Sequence, residues 1–139
     1  MRWISIPFLL LLSVSLFAAG PEPYLKSAQM PFYPRLARLA RISGTIHLDF
    51  TVDGQGNTSG VEASAANEVL RRSAIENVQN WKFAWSQPCD CRSQGEAIFV
   101  YKLSGKGESP ERPNVTVRWF GKTKVIHVEI EGDVIEHSD

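Results

Sequence analysis

The chain is poor in the residues that active-site chemistry usually needs. Its 139 residues include two cysteines, both inside Cys89-Asp90-Cys91. Structural zinc wants four ligands, so this pair alone makes a poor metal site. The three histidines, His47, His127 and His137, are far apart and show no His-x3-His or Glu-x2-His spacing. There is no Gly-x-Ser-x-Gly elbow and no glycine-rich phosphate loop ahead of a helix. Asp53-Gly54-Gln55-Gly56 carries too few carboxylates for a calcium loop. No acid pair and no nucleophile–base pair stands out, so the chain is expected to be no enzyme, with no catalytic residue, no metal and no cofactor. An excess of one charge is missing too: fifteen Lys and Arg face fifteen Asp and Glu. Nothing in that balance favours nucleic acid or an anionic membrane surface as a partner.

What is present begins with an export signal. Arg2 precedes a nearly continuous apolar run over residues 3–17, and Ala18-Ala19-Gly20 supplies small residues near a cleavage point. That is the pattern of a signal peptide. An uncleaved anchor is the alternative, although the run falls just short of the ~20 residues of a span. The domain is therefore expected outside the cytoplasm, periplasmic or secreted, or held at the inner membrane. Any membrane contact would be through residues 1–20. In such a compartment Cys89 and Cys91 form a candidate disulfide, a local staple in a polar loop. A Cys-x-Cys ring is small, and strained disulfides reduce easily, which leaves a redox role as the alternative.

The length suits one domain. After a Pro-rich leader at 21–30, Pro34 suits a first helical turn, and Leu36, Ala37, Leu39 and Ala40 give a two-turn helix one apolar face. Arg35, Arg38 and Arg41 recur at i, i+3 and i+6 on the other face. They read as a solvated face, or as a contact for an acidic partner. Gly44 is placed to end that helix. Residues 45–52 alternate with period two, so Ile46, Leu48, Phe50 and Val52 point one way, as in a strand with one wet face. Asp53-Gly54-Gln55-Gly56 is a turn by composition, and residues 58–64 return as the hairpin partner. Asn67 caps a second helix whose Leu70, Ala74, Val78 and Trp81 share a face. Trp81, Phe83 and Trp85 read as core aromatics leading out of that helix. Residues 96–103 are apolar on both faces, so that strand is either central or covered. Beyond a Gly/Ser/Pro linker, residues 115–120 and 124–131 flank Gly121-Lys122 as an added hairpin.

The series Tyr33-Pro34-x-x-Ala37, Gly44, Asp53–Gly56 and Trp81-x-Phe83 resembles the C-terminal domain of TonB energy-transducing proteins, loosely over residues 31–104. The resemblance implies an α+β fold, with two helices packed on one face of a three-stranded antiparallel sheet. Here an extra β-hairpin at 114–139 would be added. It also implies a docking module: the family's last strand offers a free edge to a short peptide of an outer-membrane receptor, which adds as a further strand. Carried over by position, the partner-binding edge is Glu96, Ala97, Ile98, Phe99, Val100, Tyr101, Lys102 and Leu103. The partner is expected to be another envelope protein, an outer-membrane receptor peptide among the candidates, with self-association as a further outcome.

Three departures weigh against a working transducer. Residues 1–20 contain no histidine of the kind the family's anchor uses. The leader reaches only roughly 35 Å at full extension, which is short for crossing the periplasm. The added hairpin could also cover the 96–103 edge in cis, which would protect it from pairing and close it to a peptide. The alternative reading is then a structural or assembly protein of the periplasm.

Overall fold

The computed structural model describes residues 20–64, 67–104 and 125–135. Along the chain the elements are β1 Pro23–Ser27, α1 Arg35–Leu39, β2 Gly44–Val52, β3 Thr58–Ser64, α2 Glu68–Gln79, β4 Lys82–Trp85, β5 Ser93–Ser104 and β6 Val125–Asp133. The main sheet has the order β3-β2-β5-β6, and β1 pairs with β4 in a separate two-stranded sheet. The class is α+β with two helices, as expected. The main sheet is four-stranded and mixed where three antiparallel strands were expected.

Period-two alternation fixes the buried face. Ile46, Leu48, Phe50 and Val52 of β2 are buried, and their cross-strand neighbours on β5 include Ala97 and Phe99, also buried. Ile126, Val128 and Ile130 of β6 continue that face beyond Ala97, Phe99 and Tyr101. Against it pack Ala37 of α1, Leu70, Ala74 and Val78 of α2, and Trp81 and Phe83 at and after the helix end. Trp81 is stacked on Phe99 and edge-on to Phe50, with centroids 5.9 and 6.0 Å apart. Such pairs add about 0.5–1.5 kcal/mol each beyond area burial.

Local chemistry sets the element ends. The Asn67 side chain accepts from the N–H groups of Val69 and Leu70, which caps α2 as its sequence predicts. Asp53 accepts from the N–H groups of Gln55 and Asn57 and so closes the β2–β3 turn. Gly56 sits there at φ 83°, and a Cβ at that position would overlap the carbonyl of Phe83. Only glycine lets β4 lie this close, and the Phe83 N–H donates to the Gly56 carbonyl at 2.8 Å.

Four expectations change. Residues 23–27 lie in the stretch read as a leader, yet they form a strand, because Leu25 packs on the core opposite Phe83 and β4 supplies its ladder. Gly44 opens β2 instead of capping α1, and Arg41 takes the left-handed conformation at φ 55°. Leu36, placed on the apolar face of α1, is exposed, since only Ala37 of that short helix reaches the core. The fourth change concerns the C-terminal extension. Its strand β6 pairs with β5 in parallel, from Glu96↔Val125 to Ser104↔Asp133. Its proposed hairpin partner at 115–120 lies outside the described residues.

Burial makes β6 part of the core. Ile130 is 0 % exposed. Ile130→Ala should cost about 3 kcal/mol through lost burial plus cavity. Urea unfolding should show this as a lower midpoint with an unchanged slope.

Candidate functional site

The 96–103 edge is where docking was expected, and it is not open. From Glu96 to Tyr101 each residue has a β2 partner on one side and a β6 partner on the other. Lys102 and Leu103, beyond the end of β2, are still paired with β6. The expectation of a free edge at Glu96, Ala97, Ile98, Phe99, Val100, Tyr101, Lys102 and Leu103 is therefore corrected. The apolar character of both faces of β5 has its explanation here: the strand is interior to the sheet. A peptide could add to β5 only by expelling β6, which would expose Ile126, Val128 and Ile130. At about 1.5–3 kcal/mol each, that costs roughly 5–9 kcal/mol. The whole stability of a domain is about 5–15 kcal/mol.

Tyr33 locks the arrangement from above. Its ring lies edge-on to Tyr101 at 5.3 Å and covers Gly132 of β6. A Cβ on Gly132 would fall 2.6 Å from the Tyr33 ring, so glycine there makes room for it. The Tyr33 hydroxyl donates to the Ile42 carbonyl. Burial pushes the Tyr33 phenol up to about 12. Burial also raises Tyr101 to about 12, against a hydrogen bond with Ser73 that favours the phenolate.

With the β5 edge closed, β3 and β6 are the outer strands of the main sheet among the described residues, and the two layers of the fold differ in charge. The solvent face of the sheet carries Asp49, Glu62, Glu96, Glu129, Glu131 and Asp133 against Lys102, which pairs with Glu129 at 3.3 Å. Asp49 is flanked in register by Glu62 on one side and Glu96 on the other. Like charges placed directly opposite destabilise a sheet. His47 and His127 share that face, separated by Ile98. Among the described residues no group of three or more His, Cys, Asp or Glu could hold a metal ion.

The helix layer has the opposite sign. It presents Arg35, Arg38, Arg41, Arg71 and Arg72 against Glu68 and Glu76. Arg71 and Arg72 pair with Glu68, whereas Arg35, Arg38 and Arg41 form no ion pair with described residues. The Nε of Arg38 is shielded from solvent and has no hydrogen-bond partner among the described residues. Beside these arginines three large apolar side chains stand out in water: Met30 at 64 %, Phe32 at 59 % and Leu36 at 69 % exposure. Phe32, Pro34 and Leu36 form one wall of a groove whose other wall is Val69, Arg72 and Glu76 of α2. The arginine stripe was legible in the sequence. The apolar side was not, because Leu36 was assigned to the core and residues 20–33 carried no periodicity.

Cys89 and Cys91 are joined as a disulfide with Cα atoms 5.2 Å apart. They sit in the loop between β4 and β5, over the β2–β3 turn, where Gly54 faces the Cys89 carbonyl.

A family described as Gram-negative bacterial TonB protein C-terminal has a sequence model that matches residues 29–103. Protein TonB of Vibrio cholerae serotype O1 (strain ATCC 39315 / El Tor Inaba N16961) is 41 % identical over 66 residues, 45 % of this chain and 27 % of that protein. The chain thus spans about a quarter of the length of the curated relative it matches. The solution NMR structure of the Pseudomonas aeruginosa TonB CTD aligns at TM-score 0.49 and 22 % identity, covering 63 % of this chain and 90 % of that one.

Burial of the two tyrosines makes the stability of the fold depend on alkaline pH. Both have folded values near 12, above the ordinary 10, so the native state holds protons that the unfolded chain releases. Their contribution is complete below pH 10 and is lost as pH rises toward 12. Urea midpoints should fall over that window, and less steeply in Tyr101→Phe.

Proposed function

The chain belongs to the family of Gram-negative bacterial TonB C-terminal domains, and on that premise we propose that it is an exported protein-binding module of the bacterial envelope that docks through its helix layer. The observation that carries this reading is the ladder from Glu96↔Val125 to Ser104↔Asp133, which fills the strand edge where a partner peptide was expected. Docking is assigned instead to the groove of Phe32 and Leu36 and to Arg35, Arg38 and Arg41, where apolar exposure and cations unpaired among the described residues occur together. The partner is an envelope protein presenting an acidic segment with apolar side chains, an outer-membrane receptor among the candidates. Arginine recognises carboxylates with a planar fork of donors, and the exposed apolar residues beside it supply the desolvated centre that protein contacts use. Two costs already built into the fold support that role. Exposed Met30, Phe32 and Leu36 gain little from folding, and Arg41 holds a left-handed backbone that costs a non-glycine residue roughly 1–2 kcal/mol.

The closed β5 edge also favours a second reading, a periplasmic structural or assembly protein. The two differ in what they predict for the purified chain. A structural role gives stable self-association in analytical ultracentrifugation, and a docking module stays monomeric until its partner is added.

The test of the docking reading is site-specific photo-crosslinking in cells. A crosslinker at Phe32 or Leu36 should capture a discrete envelope protein, and the same group at Thr45 on the opposite sheet face should not. Reversing Arg35 and Arg38 to Glu should lower the yield about tenfold, as a loss near 1.4 kcal/mol requires. Adducts from Thr45 with none from 32 or 36, or a yield indifferent to the reversal, would place docking elsewhere.

A further inference from the structure

The only two cysteines of the chain are spent on a bond that ties no two elements together. The disulfide joins residues two apart, both in the loop that runs from the end of β4 at Trp85 to the start of β5 at Ser93. A crosslink stabilises chiefly by constraining the unfolded chain, and the gain is least for the shortest loops. The neighbouring structure is held without it. The Trp85 indole donates to the Asp53 carbonyl at 2.8 Å, Lys82 donates to the Asn57 side chain at 2.7 Å, and the Phe83 N–H donates to Gly56 at 2.8 Å. These bonds fix the β2–β3 turn to β4, which leaves little for the disulfide to hold.

The surroundings suit exchange chemistry. Both cysteines are partly exposed at the rim of a polar hollow lined by Asp53, Gly54, Gln55, Asp90 and Arg92. Arg92 directly follows Cys91 in the chain, and its guanidinium favours a thiolate at Cys91 over the thiol, against the Asp90 carboxylate on the other side. We propose that Cys89–Cys91 is a thiol–disulfide exchange site whose partner is a dithiol protein of the oxidoreductase class. The partner's thiolate attacks Sγ of Cys89. A mixed disulfide forms as the Cys89–Cys91 bond breaks, and Cys91 leaves as a thiolate beside Arg92. The partner's second thiolate then displaces Cys89, so the partner ends as a disulfide and this chain as a dithiol, two electrons having moved to it. Because the bond ties no two elements, the rest of the fold persists in both states. This site is independent of the helix-layer contact.

The experiment uses the full chain in its native state, with glutathione as the probe thiol. At reduced glutathione on the order of 1–10 mM, alkylation and mass spectrometry should find Cys89 and Cys91 as the free dithiol in most molecules, since strained or exposed disulfides reduce where structural ones resist. Near-UV circular dichroism from the buried tryptophan should be unchanged. Cys91→Ser, which leaves one thiol, should accumulate a mixed disulfide with oxidised glutathione at Cys89. A disulfide that resists glutathione in the folded protein would overturn the proposal. So would loss of the tryptophan signal on reduction, which would make the bond a structural staple.

Discussion

The ladder between β5 and β6 is the constraint on which the rest depends. It turns a strand that would end the sheet into an interior one, and with Ile126, Val128 and Ile130 it extends the core by a full strand. Tyr33 then closes over Gly132 and against Tyr101, so the entry to α1 is set by β6 as well as by β5. Open sheet edges are liabilities that proteins cover in several ways, and pairing one in cis passes the outer position to the added strand, here β6. In this chain the same device removes a docking edge. Any partner must meet a different surface or displace three buried side chains.

The distribution of charge follows from the same layering. A chain with balanced totals becomes two-sided once folded, because one face of the sheet is solvent and the other is roofed by the helices. Carboxylates gather on the sheet face, with Asp49 between Glu62 and Glu96, and arginines gather on the helices. Net charge alone conceals such an arrangement, and it bears on association more than on fold. The exposed Phe32 and Leu36 share a groove with Arg72 of the helix layer. Exposed apolar side chains together with arginine are what recognition patches are enriched in.

Much of the fold was legible in the sequence, and the reasons are local. The alternation from Ile46 to Val52 and the 3.6-residue spacing of Leu70, Ala74 and Val78 each report a face directly. Asn67 and the Asp53–Gly56 turn report element boundaries by side-chain hydrogen bonding. The failures are of another kind. Strand β1 is short, proline-flanked and held by β4, itself only Lys82–Trp85, so neither shows a period until the two are paired. Parallel pairing of β6 cannot be read from alternation, which is the same for either direction. The apolar character of both faces of β5 did signal a central strand. The added hairpin was already a candidate cover for it; what alternation left open was which of its strands pairs there and in which direction. At the docking surface, Arg35, Arg38 and Arg41 were visible by spacing. The exposure of Leu36 was not, because it depends on how little of a five-residue helix can reach the core.

Amide hydrogen exchange along residues 96–104 tests the central claim most directly. Donors paired on both sides of a strand exchange only through opening of the sheet. The account predicts uniformly slow exchange from Glu96 to Tyr101, matching that of Leu48 and Phe50 on β2. Fast exchange at every second residue of β5, with β2 still protected, would mean that β6 does not hold the edge, and the closed-edge account would be wrong.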